Sequence, residues 1–398
     1  MDTSTELAFT LPSAVPTTAA SAPPNASTIV RPLDPPDRLL MGPGPSNPDP
    51  RVLAAMSKRL VGHLDPYFVE LMDETMGMLR TVYRTRSHYT LPISATGSAG
   101  LETIMLNLIE PGDSVIVCVI GYFGRRLVEL ATRAGGDVRV VEAGPGEIVD
   151  VTQVEAELEK KPAKLVAFVH VETTTGACQP IQPMVDVAHK HAALVMMDCV
   201  TSLGGMPIDI DALGVDAAGS CTQKCLGAPP ALAPITVGTK AMEMVMARKA
   251  PARTWYFDLK LLFQYWGEGG EKKRAFHHTA PISSIYGIHE ALRLILEEGL
   301  DARWRRHADA QEHLVRGLDK LGLSLFTPAS NRATTINVIK VPAGVDEARV
   351  RAKLLEANVE MGGGLGPLAG KVWRVGVMGH NAQPERVDRF LSALGAAL

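Results

Sequence analysis

One lysine stands among small and polar residues in the run Gly219-Ser220-Cys221-Thr222-Gln223-Lys224-Cys225-Leu226-Gly227-Ala228-Pro229-Pro230, directly after an apolar segment. Such neighbours belong to a tight, largely enclosed turn. Enclosure disfavours the ammonium form of Lys224 and leaves a nucleophilic amine, which is what condensation with an aldehyde requires. The competing reading is a lysine whose stem is covered while its amine reaches solvent. Asp198 closes the apolar run Leu194-Val195-Met196-Met197-Asp198-Cys199-Val200. A buried carboxylate needs a cation, and a protonated pyridine nitrogen would serve, with the ring acting as an electron sink. Capping of the turn Thr201–Gly205 is the alternative.

Three further groups suit the same chemistry. Ser94-Ala95-Thr96-Gly97-Ser98-Ala99-Gly100 precedes a helix expected to start near Leu101, and small hydroxyl residues at a helix N-terminus offer free amides to a phosphate, or else form an ordinary cap. Phe123, in Gly121-Tyr122-Phe123-Gly124, is placed after an apolar run, where a ring can stack on a flat heteroaromatic or pack in the core. Arg374 interrupts Val372-Trp373-Arg374-Val375-Gly376-Val377, so it must be paired, either with a substrate carboxylate or with a structural acid. Gly364-Leu365-Gly366-Pro367-Leu368-Ala369-Gly370 has the wrong spacing for a dinucleotide loop. Cys221 and Cys225 stand four apart without a second pair, so no metal site is expected and both read as small buried residues.

The elements that must position these groups follow from the apolar pattern. Ser114–Ile120, Leu165–Val171, Leu194–Val200 and Pro234–Val237 are short, rich in β-branched residues and bounded by Gly or Pro, as buried strands are. Leu101, Ile104, Met105, Leu108 and Ile109 follow helical spacing, as do residues of Met184–His191. Alternating strand and helix predicts a parallel α/β sheet covered on both faces, with ligands at the carboxyl ends of its strands. After about residue 290 the texture becomes that of a smaller α+β domain: one long charged helical stretch over Ile288–Leu321, a strand over Thr334–Val341, a helix over Asp346–Ala357, a strand over Val372–Val377 and a closing helix. The expected domains are a flexible tail over residues 1–37, a large domain over 38–295 and a small one over 296–398.

The chain has 398 residues and a net charge of -3, which argues against a general nucleic-acid or anionic-membrane binder. No apolar run approaches the roughly 20 residues of a membrane span. Five cysteines are too few and irregular for a disulfide framework, and no targeting segment is evident, so a reducing cytoplasm is the expected compartment.

Taken in order, several stretches resemble one family. They are Met41-Gly42-Pro43-Gly44-Pro45-Ser46-Asn47, Asp198–Gly205, Ser220–Lys224 with Ala228-Pro229-Pro230, Phe276-His277-His278-Thr279, and Gly363–Pro367 with Gly370–Arg374. From about Leu39 onward the chain resembles the class V aminotransferases of fold type I, pyridoxal 5'-phosphate enzymes, and within them the alanine-glyoxylate and serine-glyoxylate group. The resemblance implies a large domain with a mostly parallel seven-stranded sheet flanked by helices. It makes Lys224 the lysine that holds the cofactor and Asp198 the partner of its ring nitrogen. It further implies phosphate contacts from Thr96, Gly97, Ser98 and Gln223, a stacking face on Phe123, and a hydroxyl near cofactor and substrate on Thr173. Phe276 and Thr279 would reach the phosphate of the other subunit of a homodimer. Arg374 would take the substrate carboxylate, with Gly42 in the loop that closes over it. The implied reaction is ping-pong transamination from alanine or serine to glyoxylate; the alternatives are an (S)-ureidoglycine donor, a lyase or desulfurase of the same fold, and a scaffold that has lost catalysis.

Overall fold

The computed structural model describes residues 32–267 and 274–398; most of the expected tail, residues 1–31, lies outside the described residues. The central sheet is built from β1 (Thr90–Ile93), β2 (Ser114–Val119), β3 (Asp137–Glu142), β4 (Leu165–Val169), β5 (Leu194–Asp198), β6 (Ala217–Gly219) and β7 (Ala233–Val237). Its order is β1-β7-β6-β5-β4-β2-β3. The five strands from β6 to β3 are parallel, and β7 runs against both of its neighbours. Burial on both faces explains why β2, β4 and β5 read as unbroken apolar runs. The edge strand β3, Asp137-Val138-Arg139-Val140-Val141-Glu142, keeps charged residues and is largely uncovered.

A second sheet contains β8 (Ile336–Lys340), β9 (Gly362–Gly363) and β10 (Val372–Gly376), all antiparallel in the order β9-β10-β8. Its core, with Leu354, Trp373, Val375 and Phe390, is separate from the one around the central sheet. Leu39 and Met41 pack in this second core, because Leu39–Leu40 pairs with Val359–Glu360. That pairing carries the chain from the second core directly into the loop that covers Lys224.

Two helix expectations are corrected. The helix expected near Leu101 begins at Gly97, since Gly97 and Ser98 already lie in the first turn. The stretch Ile288–Leu321 is not one helix but two, Ile282–Glu298 and Leu300–Lys320, separated at Gly299, whose φ of 82° is left-handed. Among the described residues no helix is long and apolar enough to cross a membrane.

Candidate active site

The loops leaving β2, β4, β5 and β6 converge at the carboxyl edge of the sheet, where four neighbouring parallel strands end together. There they enclose a cavity of about 280 Å³. Thr96, Gly97, Ser98, Phe123, Thr173, Asp198, Gln223 and Lys224, the residues expected to contact the cofactor of their own subunit, all line it. Val200, Arg126 and Gly44 line it too, and were not expected.

Lys224 lies in a π-helical turn, Thr222–Leu226, with φ -108° and ψ -127°, off the helical values. Its side chain is only 9% exposed, so it does not reach into solvent. Burial lowers the pKa of its amine. The amine donates to the Pro43 carbonyl, and Ser46 fastens the same loop to the turn through its amide, to Gln223 O at 3.0 Å, and its hydroxyl, to Lys224 O at 3.0 Å. Gly44 is the point of closest approach. It has φ +109°, and a Cβ there would stand 2.6 Å from Lys224 Cδ. Gly42, expected in the closing loop, lies farther back, beside Gly362 and Gly376.

Asp198 is 4% exposed, and burial pushes its carboxyl up to about 7. One oxygen accepts from the Val200 amide at 2.8 Å, so it does fasten the following turn. No cation stands within 4.0 Å of it among the described residues. A carboxylate held this way suits a ligand that brings a positive charge.

The phosphate-type features gather at the start of the Gly97–Leu108 helix. Thr96 is its N-cap, yet its hydroxyl makes no capping bond and stays open. Gly97 is required by close packing, since a Cβ there would meet Cys221 Cβ at 2.8 Å. Gln223 faces the cavity, and its buried Oε1 has no partner among the described residues. Thr173 shares a 2.7 Å hydroxyl bond with Thr201. Cys221 and Cys225 are buried, and burial pushes both thiols up to about 12, as inert core residues.

Glu172 is fully buried, and its role is hidden in the sequence because the helix start it meets lies some 50 residues away. Its carboxylate accepts from the amides of Phe123 (3.0 Å) and Gly124 (3.3 Å), and from the amide and hydroxyl of Thr174. It therefore caps the Tyr122–Ala134 helix from outside and holds the main chain at Phe123 and Gly124.

Arg374, on the central strand β10, is 7% exposed and donates from Nε to Gly363 O at 2.7 Å. No carboxylate lies within 4.0 Å of it among the described residues, so the structural ion pair is not formed. Neither Arg374 nor Gly42 lines the Lys224 cavity itself. Phe276 (61% exposed) and Thr279 also lie outside it; the Phe276 ring packs against His63 at 5.4 Å.

A buried amine, a buried carboxylate without an ion-pair partner and an open helix N-terminus around one cavity fit pyridoxal 5'-phosphate, which carries an aldehyde, a basic ring nitrogen and a phosphate. Comparison with known proteins agrees. The family Aminotransferase class-V matches residues 40–390. The alanine–glyoxylate aminotransferase of Mus musculus is 40% identical over 378 residues, covering 94% of this chain and 91% of the mouse protein. The solved alanine–glyoxylate aminotransferase of Nostoc sp. superposes with a TM-score of 0.91 at 45% identity, over 95% of this chain and 99% of that one. The ureidoglycine–glyoxylate aminotransferase of Bacillus subtilis gives 0.90 at 38% identity, over 92% and 94%. With lysine, acid and helix terminus at one sheet edge and such relatives along nearly its whole length, the chain belongs to the class V aminotransferases, pyridoxal-phosphate enzymes of fold type I.

Proposed function

We propose that the protein transfers the amino group of alanine or serine to glyoxylate, giving glycine with pyruvate or hydroxypyruvate. The observation that carries this reading is Arg374: one enclosed guanidinium, with no carboxylate within 4.0 Å among the described residues, matches a substrate carboxylate. The relatives named for alanine and glyoxylate supply the donor and acceptor.

Pyridoxal phosphate, when bound, supplies an aldehyde that takes up amino groups and a ring that spreads charge from the α-carbon. Lys224, whose burial disfavours the ammonium form, offers the amine that would tether the aldehyde. The same amine, when not joined to the aldehyde, would serve as the base that takes the proton from the substrate Cα and as the acid that returns it. Asp198 would hold a protonated ring nitrogen, and Phe123 would cover a ring face. The Thr96 hydroxyl, the Gly97 and Ser98 amides and Gln223 hold the phosphate, while Thr173 orients the substrate side. Arg374 clamps the carboxylate with Gly42 in the adjoining loop, so that Cα is presented to Lys224.

We further assign a homodimer in which Phe276 and Thr279 reach the second subunit's phosphate. Their exposure away from their own cavity supports this, as does Trp255, which stacks on His277 at 4.3 Å while remaining 61% exposed. The free thiols support a reducing, cytoplasmic setting. Two separate cores support a large domain over 38–295 and a small one over 296–398, with Leu39 and Met41 crossing to the latter.

Single-turnover half-reactions with alanine, serine and (S)-ureidoglycine test the donor. Alanine or serine is expected to react fastest; equal rates for all three overturn the assignment. A ureidoglycine preference establishes the second reading, which the Bacillus subtilis relative favours. An active monomer on gel filtration contradicts the role given to Thr279.

A further inference from the structure

Arg126 lines the Lys224 cavity one helical turn after Phe123. Its Nη1 donates to Ser98 Oγ at 2.8 Å. Its Cζ lies 4.7 Å from the centre of the Phe123 ring and 5.6 Å from that of Tyr122, positions three and four residues back on the same helix. Those two rings and the hydroxyl fix the guanidinium in place. Among the described residues no carboxylate lies within 4.0 Å of it, whereas the adjacent Arg125 is paired with Glu142.

A guanidinium facing a cavity, held by aromatic faces and one neutral oxygen, keeps most of its five N–H groups and all of its charge for an incoming anion. Ser98, which tethers it, stands in the first turn of the Gly97–Leu108 helix, where the free amides and the positive end of the helix already favour negative charge. Asp198, on the same cavity wall, feels the Arg126 charge but is not paired with it within 4.0 Å, and its carboxyl remains raised by burial, so it still suits a closer cation. The lining therefore asks for a ligand with a positive ring and a strongly negative substituent, and Arg126 belongs with the negative one.

We propose that Arg126 is a direct ligand of the cofactor's phosphate, tethered by Ser98 and braced by Tyr122 and Phe123. The proposal rests on the cofactor assignment above. It differs from a substrate side-chain contact in what it discriminates: the phosphate, not the amino acid.

The test titrates the full-length apoenzyme with pyridoxal 5'-phosphate and, separately, with pyridoxal, following the visible band of the lysine-bound aldehyde. Arg126→Gln is expected to raise the dissociation constant for the phosphate ester about ten- to a hundredfold, the scale of one charged hydrogen bond, and to change that for pyridoxal by less than about twofold. Binding of the ester also becomes less sensitive to salt. Arg126→Lys, which keeps the charge, recovers part of the affinity, and supplies the measurement if the glutamine variant fails to fold. Equal weakening of both aldehydes overturns the proposal, as does unchanged affinity for the ester. Intact ester affinity with a selective loss of dicarboxylic donors such as glutamate also overturns it, in favour of a substrate contact. Should the wild-type chain form no band with either aldehyde, the cofactor assignment itself fails and this inference goes with it.

Discussion

Two cavities border the turn that carries Lys224, and their charges are handled in opposite ways. In the one beside Leu226 and Gly227, of about 340 Å³, every lining arginine has a carboxylate. Arg51 meets Asp49 at 3.0 Å, and Glu298 takes both Arg303 at 2.9 Å and Arg306 at 2.6 Å. Arg303 also donates to Gly204 O and Cys225 O, bracing the turn. In the other, Lys224, Arg126 and Asp198 have no opposite charge within 4.0 Å among the described residues. Charges closed in by protein partners stabilise a fold; charges left open await a ligand.

Substitutions separate the two kinds. Lys224→Ala removes both tether and proton carrier, so turnover falls about ten-thousandfold and the visible band disappears; a retained band breaks the comparison at its centre. Asp198→Asn is next, with about a thousandfold loss of turnover, and it carries a stability signature of the opposite sign. Asp198 is raised from 3.8 to about 7 in the folded chain. The folded apoenzyme therefore holds a proton that the unfolded chain has released, and loses stability as pH rises through that window. Thermal melts of apoenzyme are expected to show a shallower decline between about pH 4 and pH 8 for Asp198→Asn than for wild type; parallel curves contradict the burial argument. Arg374→Gln raises KM for the amino donor about a hundredfold with a smaller effect on kcat, as steady-state kinetics would show. Arg303→Met, on the closed side, costs about 2 kcal/mol in chemical denaturation through the two carbonyls it deserts, and leaves KM within about twofold. A large KM effect there would mean the braced side serves the substrate as well.

What the sequence made legible follows the same division. β2, β4 and β5 could be read because full burial leaves unbroken apolar runs, and the lysine turn because small residues on both sides of a lone lysine mark an enclosed turn. β3 escaped, since an edge strand keeps Asp137, Arg139 and Glu142. The break at Gly299 was hidden because the amphipathic pattern continues on both sides of it. Arg126 looks like any helical surface arginine until Ser98, 28 residues earlier, is brought beside it. Glu172 is invisible for the same reason, as only folding delivers the amides of Phe123 and Gly124 to its carboxylate. Local pattern reports burial, while long-range pairing is what turns a charge into a site.

The approach of Gly44 to the lysine stem has a consequence for how the amine works. A ceiling made of main chain cannot swing aside as a side chain would, so the four methylenes beneath it have few rotamers left. A lysine gives up to about 2 kcal/mol of torsional freedom when immobilised. Here that entropy is surrendered once, as the chain folds, and is not demanded again at each turnover.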